Sequence, residues 1–183
     1  MEWYNEPPSW QDQDGVIQVT TGSKTDFWRK THYGFIRDNG HFYFRPVAGN
    51  FVTEVKISGQ YRDLYDQAGI MVRLDALHWL KCGIEYVGGV QQASVVVTRD
   101  YSDWSVVPLP QNPAAIWLRV SRHGDALEIH YSLDGQAYTM LRLAYLTLEE
   151  RLQVGLMCCS PEGSGFDVTF QGWKLRVEDT AVN

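Results

Sequence analysis

Between Asp66 and Trp104 apolar and polar residues alternate with a period of two, and this constrains the fold more than any other feature of the chain. Successive side chains of a strand point to opposite faces, so a period of two reads as strand rather than helix. Ala68, Ile70 and Val72 share one face; Gln67, Gly69, Met71 and Arg73 share the other. In the next run Trp79, Lys81, Gly83 and Glu85 oppose Leu80, Cys82, Ile84 and Tyr86. Gly88-Gly89 is a hairpin signal. Ser94 to Arg99 forms a third strand, and Tyr101 to Trp104 closes the unit.

The same alternation recurs on both sides of this stretch. Val16 to Thr20, His41 to Arg45 and Phe51 to Ser58 precede it. Ile116 to Arg122, Leu127 to Leu133, Tyr138 to Leu143, Leu152 to Cys159 and Phe166 to Val177 follow. Asp38-Asn39-Gly40 and Asp134-Gly135 read as turns. The aromatic segment before Pro7-Pro8 is expected to pack on the body, and Asp26 to Arg29 to form an irregular segment held by its rings. Pro108, Pro110 and Pro113 read as a loop, Ala144 to Arg151 as a single helical turn, and the last residues, EDTAVN, as a frayed tail. About ten or eleven short strands at hairpin spacing, with no amphipathic helix, predict an all-β fold. The pattern fits an antiparallel sandwich or barrel, and the expected form is a two-sheet antiparallel β-sandwich filling one domain over residues 1–183. Two stacked sheets also explain strands with one apolar and one mixed face.

Charge narrows the partners. With 22 acidic against 16 basic residues the net charge is −6, and no Lys/Arg run offsets it. Nucleic acid and anionic membranes are not expected partners. No apolar stretch reaches transmembrane length, and MEWYNEPPSW lacks the pattern of a signal peptide. Cys82, Cys158 and Cys159 lie in apolar runs with neither disulfide nor zinc spacing, which favours buried thiols in a reducing, cytoplasmic setting. The five histidines show no metal spacing. Asp100 and Asp103 offer too few carboxylates for calcium, and GSGF at 163–166 is a turn rather than a phosphate cradle. No metal or cofactor is expected.

Taken in order, WYNEPPSW, TDFWRKTHYGF, DNGHF, YDQAGIMVR, HWLKCGIEY, VVVT, SDWSV, YSLDG and CCSPEGSGF carry a family likeness. The chain resembles the domain-of-unknown-function 1349 family over nearly its whole length. That family includes regulation-of-enolase-type proteins within the concanavalin A-like lectin/glucanase superfamily. The resemblance implies a concanavalin A-like jelly roll of twelve to fourteen strands, with a concave sheet that forms the sugar groove in related lectins and glucanases. It implies no activity.

The candidate site lies on the mixed face. Residues two apart on a strand are roughly 6.6 Å apart, and residues four apart roughly 13 Å. Trp79, Lys81 and Glu85 could therefore line a groove several sugar units long, supplying a stacking ring, a donor and an acceptor. Gln67 and Arg73 extend that face from a neighbouring strand. Asp103 and Trp104 could close one end, Asp26 and Trp28 the other. Gly69 and Gly83 mark close approach by a ligand or by another backbone. Without a ligand, Lys81 could pair with Asp66, and Arg73 with Glu85.

A glycosidase needs two carboxyls about 5–5.5 Å apart, or about 6.5–9.5 Å for inversion. The run Trp79-x-Lys81-x-Gly83-x-Glu85 supplies one. A second would come from another strand, as in Asp66 with Glu85 or Glu85 with Asp103. The leading expectation is non-catalytic binding of a carbohydrate or sugar-like small molecule. A protein-interaction module acting on a metabolic enzyme and a glycoside hydrolase are the alternatives.

Overall fold

The computed structural model describes residues 1–178; the tail expected to fray, residues 179–183, lies outside the described residues. Sixteen strands and no helix occur among the described residues. The first sheet runs β1 (Glu2–Tyr4), β6 (His41–Ala48), β15 (Arg151–Cys159), β8 (Gln67–Arg73), β9 (His78–Val87), β10 (Val90–Arg99) and β11 (Tyr101–Leu109). The second runs β14 (Thr139–Tyr145), β13 (Ala126–Ser132), β12 (Ile116–His123), β7 (Asn50–Gly59), β16 (Asp167–Glu178), β3 (Val16–Thr20) and β2 (Ser9–Gln13). A separate hairpin joins β4 (Phe27–Arg29) to β5 (Ile36–Asp38). The architecture is all-β with two antiparallel sheets, as the alternation predicts, and is the jelly-roll sandwich that the resemblance implies.

The core forms where the inner faces meet. Ile70, Leu80, Cys82, Ile84 and Val95 of the first sheet share one cluster with Val55, Ile57, Leu118, Val120 and Phe170 of the second. All three cysteines are buried free thiols. Gly88 and Gly89 both adopt positive φ, 60° and 85°, between the paired Val87 and Val90, as a two-residue hairpin requires.

Three local expectations are corrected. Pro108 does not begin a loop: β11 continues to Leu109, because at a sheet edge its missing N–H leaves no ladder bond unmade. Asp134-Gly135 does turn the chain between the antiparallel β13 and β14, within a six-residue connection, 133–138, in which the Asp134 carboxylate accepts the N–H groups of Gln136 and Ala137. Residues 146–150 are irregular rather than helical. The segment at Asp26–Arg29 is mostly strand, ordered by pairing with Ile36–Asp38.

Gly69 and Gly83 stand directly opposite each other on β8 and β9. A Cβ on Gly69 would lie 1.7 Å from the Cys82 carbonyl oxygen, and one on Gly83 2.0 Å from that of Ala68. These glycines thus admit the neighbouring backbone. Gly69→Ala must push the two central strands apart, and is expected to cost about 3 kcal/mol by urea denaturation. An unchanged midpoint would disprove so close a contact.

Candidate functional site

Because β8, β9, β10 and β11 are adjacent, their outward residues form rows across the first sheet. Gln67 stands beside Glu85, Met71 beside Lys81, and Arg73 beside Trp79. Val96 lies between Lys81 and Trp104. The sequence thus places these side chains on the correct face.

That face is not an open groove, because the β4–β5 hairpin lies over it. Phe27 is fully buried in a second cluster with Phe42, Phe44, Met71, Trp79, Val96, Met157 and Cys159. Around this apolar plug the hairpin is tied by charge. Arg29 Nη2 and Lys30 Nζ meet the Asp100 carboxylate at 2.9 and 2.7 Å. Arg73 donates two bonds to Asp38, 2.8 and 3.0 Å, and Tyr4 donates a third at 2.7 Å. The Arg73 guanidinium also lies 4.5 Å from the Tyr4 ring centroid. Asn39 and Gly40 donate to the Asp26 carbonyl, returning the chain to β6.

This cover changes three assignments. Trp79 is 1% exposed and offers no open face for a sugar ring. Arg73 is held beneath the hairpin by Asp38 rather than pairing with Glu85. Lys81 pairs with Asp26 rather than Asp66.

What remains open is a cavity of about 110 Å³ between the hairpin, β9, β11 and the loop after β15. Its polar side chains are Asp26, Arg37, Gln67, Lys81, Glu85 and Glu162, and its aromatic ones Trp28, Tyr33, Phe35, Tyr65 and Trp104. Lys81 Nζ donates to the Phe27 carbonyl at 2.6 Å and to Asp26 Oδ1 at 3.3 Å. Glu85 Oε2 accepts from Ser94 Oγ and from Trp104 Nε1, both at 2.8 Å. Gln67 Nε2 donates to the Tyr65 carbonyl at 3.1 Å. Among the described residues, Glu85 Oε1, Gln67 Oε1 and the third Lys81 N–H take no part in these bonds. At the rim Arg37 meets Glu162 at 3.6 Å, and the Tyr33 and Tyr65 hydroxyls meet at 3.1 Å.

Burial pushes the Glu85 carboxyl above its ordinary value; the Asp26 charge adds to this, while Lys81, Ser94 and Trp104 oppose it. Glu85 therefore binds its proton more tightly in the folded chain than in the unfolded one. Stability contributed by the protonated form is lost as pH rises from about 4.5 through the raised folded value. Glu85→Gln keeps an acceptor for Ser94 and Trp104 and removes that slope. In urea titrations its stability relative to wild type is expected to rise as pH increases above about 4.5 and to level off once pH passes the raised folded value. A difference that stays constant over this range would refute the buried-carboxyl account.

Of the remaining sequence assignments, Asp26, Trp28 and Trp104 join Gln67, Lys81 and Glu85 at the cavity. Asp103 does not bring its carboxylate there: opposite Val97 it points to the other side of the pleat and meets Arg142 of β14 at 3.2 Å. Asp66 is fully buried, accepting from Ser160 Oγ at 2.6 Å and from the N–H groups of Arg62 and Asp63. It braces the turn before β8. Tyr33, Phe35, Arg37, Tyr65 and Glu162 are cavity residues that the alternation does not reveal. The density of rings in FWRKTHYGF is the one signal pointing to two of them.

A family model described as "Protein of unknown function (DUF1349)" matches residues 3–177. "Regulation of enolase protein 1" of Saccharomyces cerevisiae is 43% identical over 173 residues, spanning 94% of this chain and 87% of that protein. A crystal structure of a functionally unknown protein from Saccharomyces cerevisiae superposes with a TM-score of 0.93 at 42% identity, covering 97% of this chain and 96% of that one. The carbohydrate-binding module CBM66 from Bacillus subtilis shares the fold, with a TM-score of 0.62 at 13% identity over 96% of this chain and 95% of that one.

Proposed function

Since this chain belongs to the DUF1349 family, whose description assigns no activity, we propose a function from the cavity itself: it binds a neutral sugar or sugar-like small molecule. One observation carries this reading. Lys81, Glu85 and Gln67, each with a hydrogen-bonding position its own bonds leave unused, line one cavity together with five aromatic side chains. Sugars present hydroxyls in their ring plane and C–H groups on their faces, so they need both kinds of surface at once. The Lys81 charge is balanced by Asp26, which suits a neutral ligand better than an anion. The fold shared with a carbohydrate-binding module supports the same reading as an analogy.

Isothermal titration with D-glucose, D-mannose, D-xylose, L-arabinose and D-fructose tests it. At least one is expected to bind, and Trp28→Ala to weaken that binding roughly tenfold by removing a wall. If none binds at millimolar concentration, the reading fails. Release of nitrophenol from aryl glycosides of these sugars would replace it with hydrolysis, for which Asp26, Glu85 and Glu162 are the carboxyls at the cavity.

A second reading, contact with a metabolic enzyme, draws on the name of the yeast relative, which ties that protein to regulation of enolase. It is supported by exposed apolar side chains on the edge strands, Tyr101, Val106 and Val107 on β11 and Met140, Leu143 and Tyr145 on β14. Titration of purified enolase into the protein distinguishes the two readings. The buried thiols accord with a reducing, cytoplasmic location for either.

A further inference from the structure

The same aromatic walls bound a second space. A cleft of about 660 Å³ lies along β11 and the tip of the hairpin, and Trp28, Tyr33 and Trp104 line both it and the cavity. Thr31, His32, Tyr101, Ser102 and Asp103 line the cleft and not the cavity. Sites that enclose a drug-sized molecule measure about 300–1,000 Å³. A cavity of about 110 Å³ therefore takes one small unit, and across the shared rings the cleft has room for a second unit attached to it.

The rings at this exit are held in place. The Trp28 indole N–H donates to the Thr31 carbonyl at 3.0 Å, and that of Trp104 to Glu85 at 2.8 Å. Tyr101 is 60% exposed, with Lys30 4.8 Å from its ring centroid. Fixed rings lose little freedom on binding, so they make good stacking platforms. The two spaces also differ in chemistry. Buried Lys81 and Glu85 serve the cavity and can discriminate among hydroxyl patterns. The cleft offers Thr31, His32, the Tyr101 hydroxyl and the solvent-exposed Asp103, which suit contact more than discrimination.

We propose, resting on the sugar-binding reading above, that the ligand is an oligosaccharide recognised by its end. The terminal unit enters the cavity and sets identity; the second lies in the cleft against Trp28, Trp104 and Tyr101 and adds affinity. Trp28 and Trp104 form the boundary between the two subsites.

The test compares xylose with xylobiose, glucose with cellobiose and mannose with mannobiose by isothermal titration, on wild type and on Tyr101→Ala. Tyr101 lines the cleft and not the cavity, and its exposure makes the substitution compatible with folding. For the sugar that binds, the disaccharide is expected to bind roughly three- to tenfold more tightly than the monosaccharide. Tyr101→Ala should remove most of that gain and leave the monosaccharide Kd unchanged. Equal affinities for the two in wild type, or an undiminished gain in Tyr101→Ala, would overturn the second subsite while the cavity reading stands. If neither binds, the sugar-binding reading fails and this inference with it.

Discussion

Lys81→Met is expected to cost about 3–5 kcal/mol of folding stability, the scale for breaking a buried ion pair from one side. Lys81 and Asp26 have side chains only 4% and 10% exposed, so solvent does little to screen them. Methionine fills the lysine stem but leaves the Asp26 carboxylate without its cation and the Phe27 carbonyl without its 2.6 Å donor. It also removes the charge that opposes the upward shift of Glu85. Urea denaturation at neutral pH measures the loss. Adding Asp26→Asn removes the stranded charge and should recover part of the stability, giving a coupling energy from the double-mutant cycle. A loss below about 1 kcal/mol would mean that the pair behaves as an exposed one.

Trp79→Ala is expected to cost about 3–5 kcal/mol, as for other fully buried aromatic residues. Its ring packs 6.1 Å from Phe27, centroid to centroid, and it is the largest fully buried side chain. Removing it leaves a void beneath the hairpin that the rigid sheet cannot close. With total stabilities near 5–15 kcal/mol, such a loss brings a domain close to unfolding. Lost ligand binding in Trp79→Ala would therefore report a collapsed site, not a missing stacking ring. Thermal or urea midpoints check the stability, and Trp28→Ala tests the wall itself. A Trp79→Ala protein of wild-type stability would reinstate Trp79 as an exposed platform.

The fate of Trp79 shows how far the chain could be read without its structure. Alternation set Trp79, Lys81 and Glu85 apart from Leu80, Cys82 and Ile84, and both groups lie on the faces so assigned. Alternation cannot tell an outward face open to solvent from one covered by another segment, since both satisfy the same pleat. Gly69 and Gly83 were legible as a close approach, and the Cys82 and Ala68 carbonyls supply it. Asp103 and Trp104, adjacent in sequence, lie on opposite sides of the sheet, so sharing a motif does not place two residues in one site.

By itself, the sequence determined the all-β class and the faces of the central strands, because side-chain alternation is a property of each strand's own backbone. Only the tertiary structure decided that there are sixteen strands among the described residues, that the mixed face is covered and that a small cavity is left beside the cover. The contacts responsible join distant residues: Arg29 with Asp100, Asp38 with Arg73, Tyr33 with Tyr65, and Lys81 with Phe27. Each depends on how the hairpin folds back over the sheet, and no local period records that. The Asp66–Trp104 stretch therefore supplies part of the cavity, and the segment around Trp28 and Tyr33 determines its size.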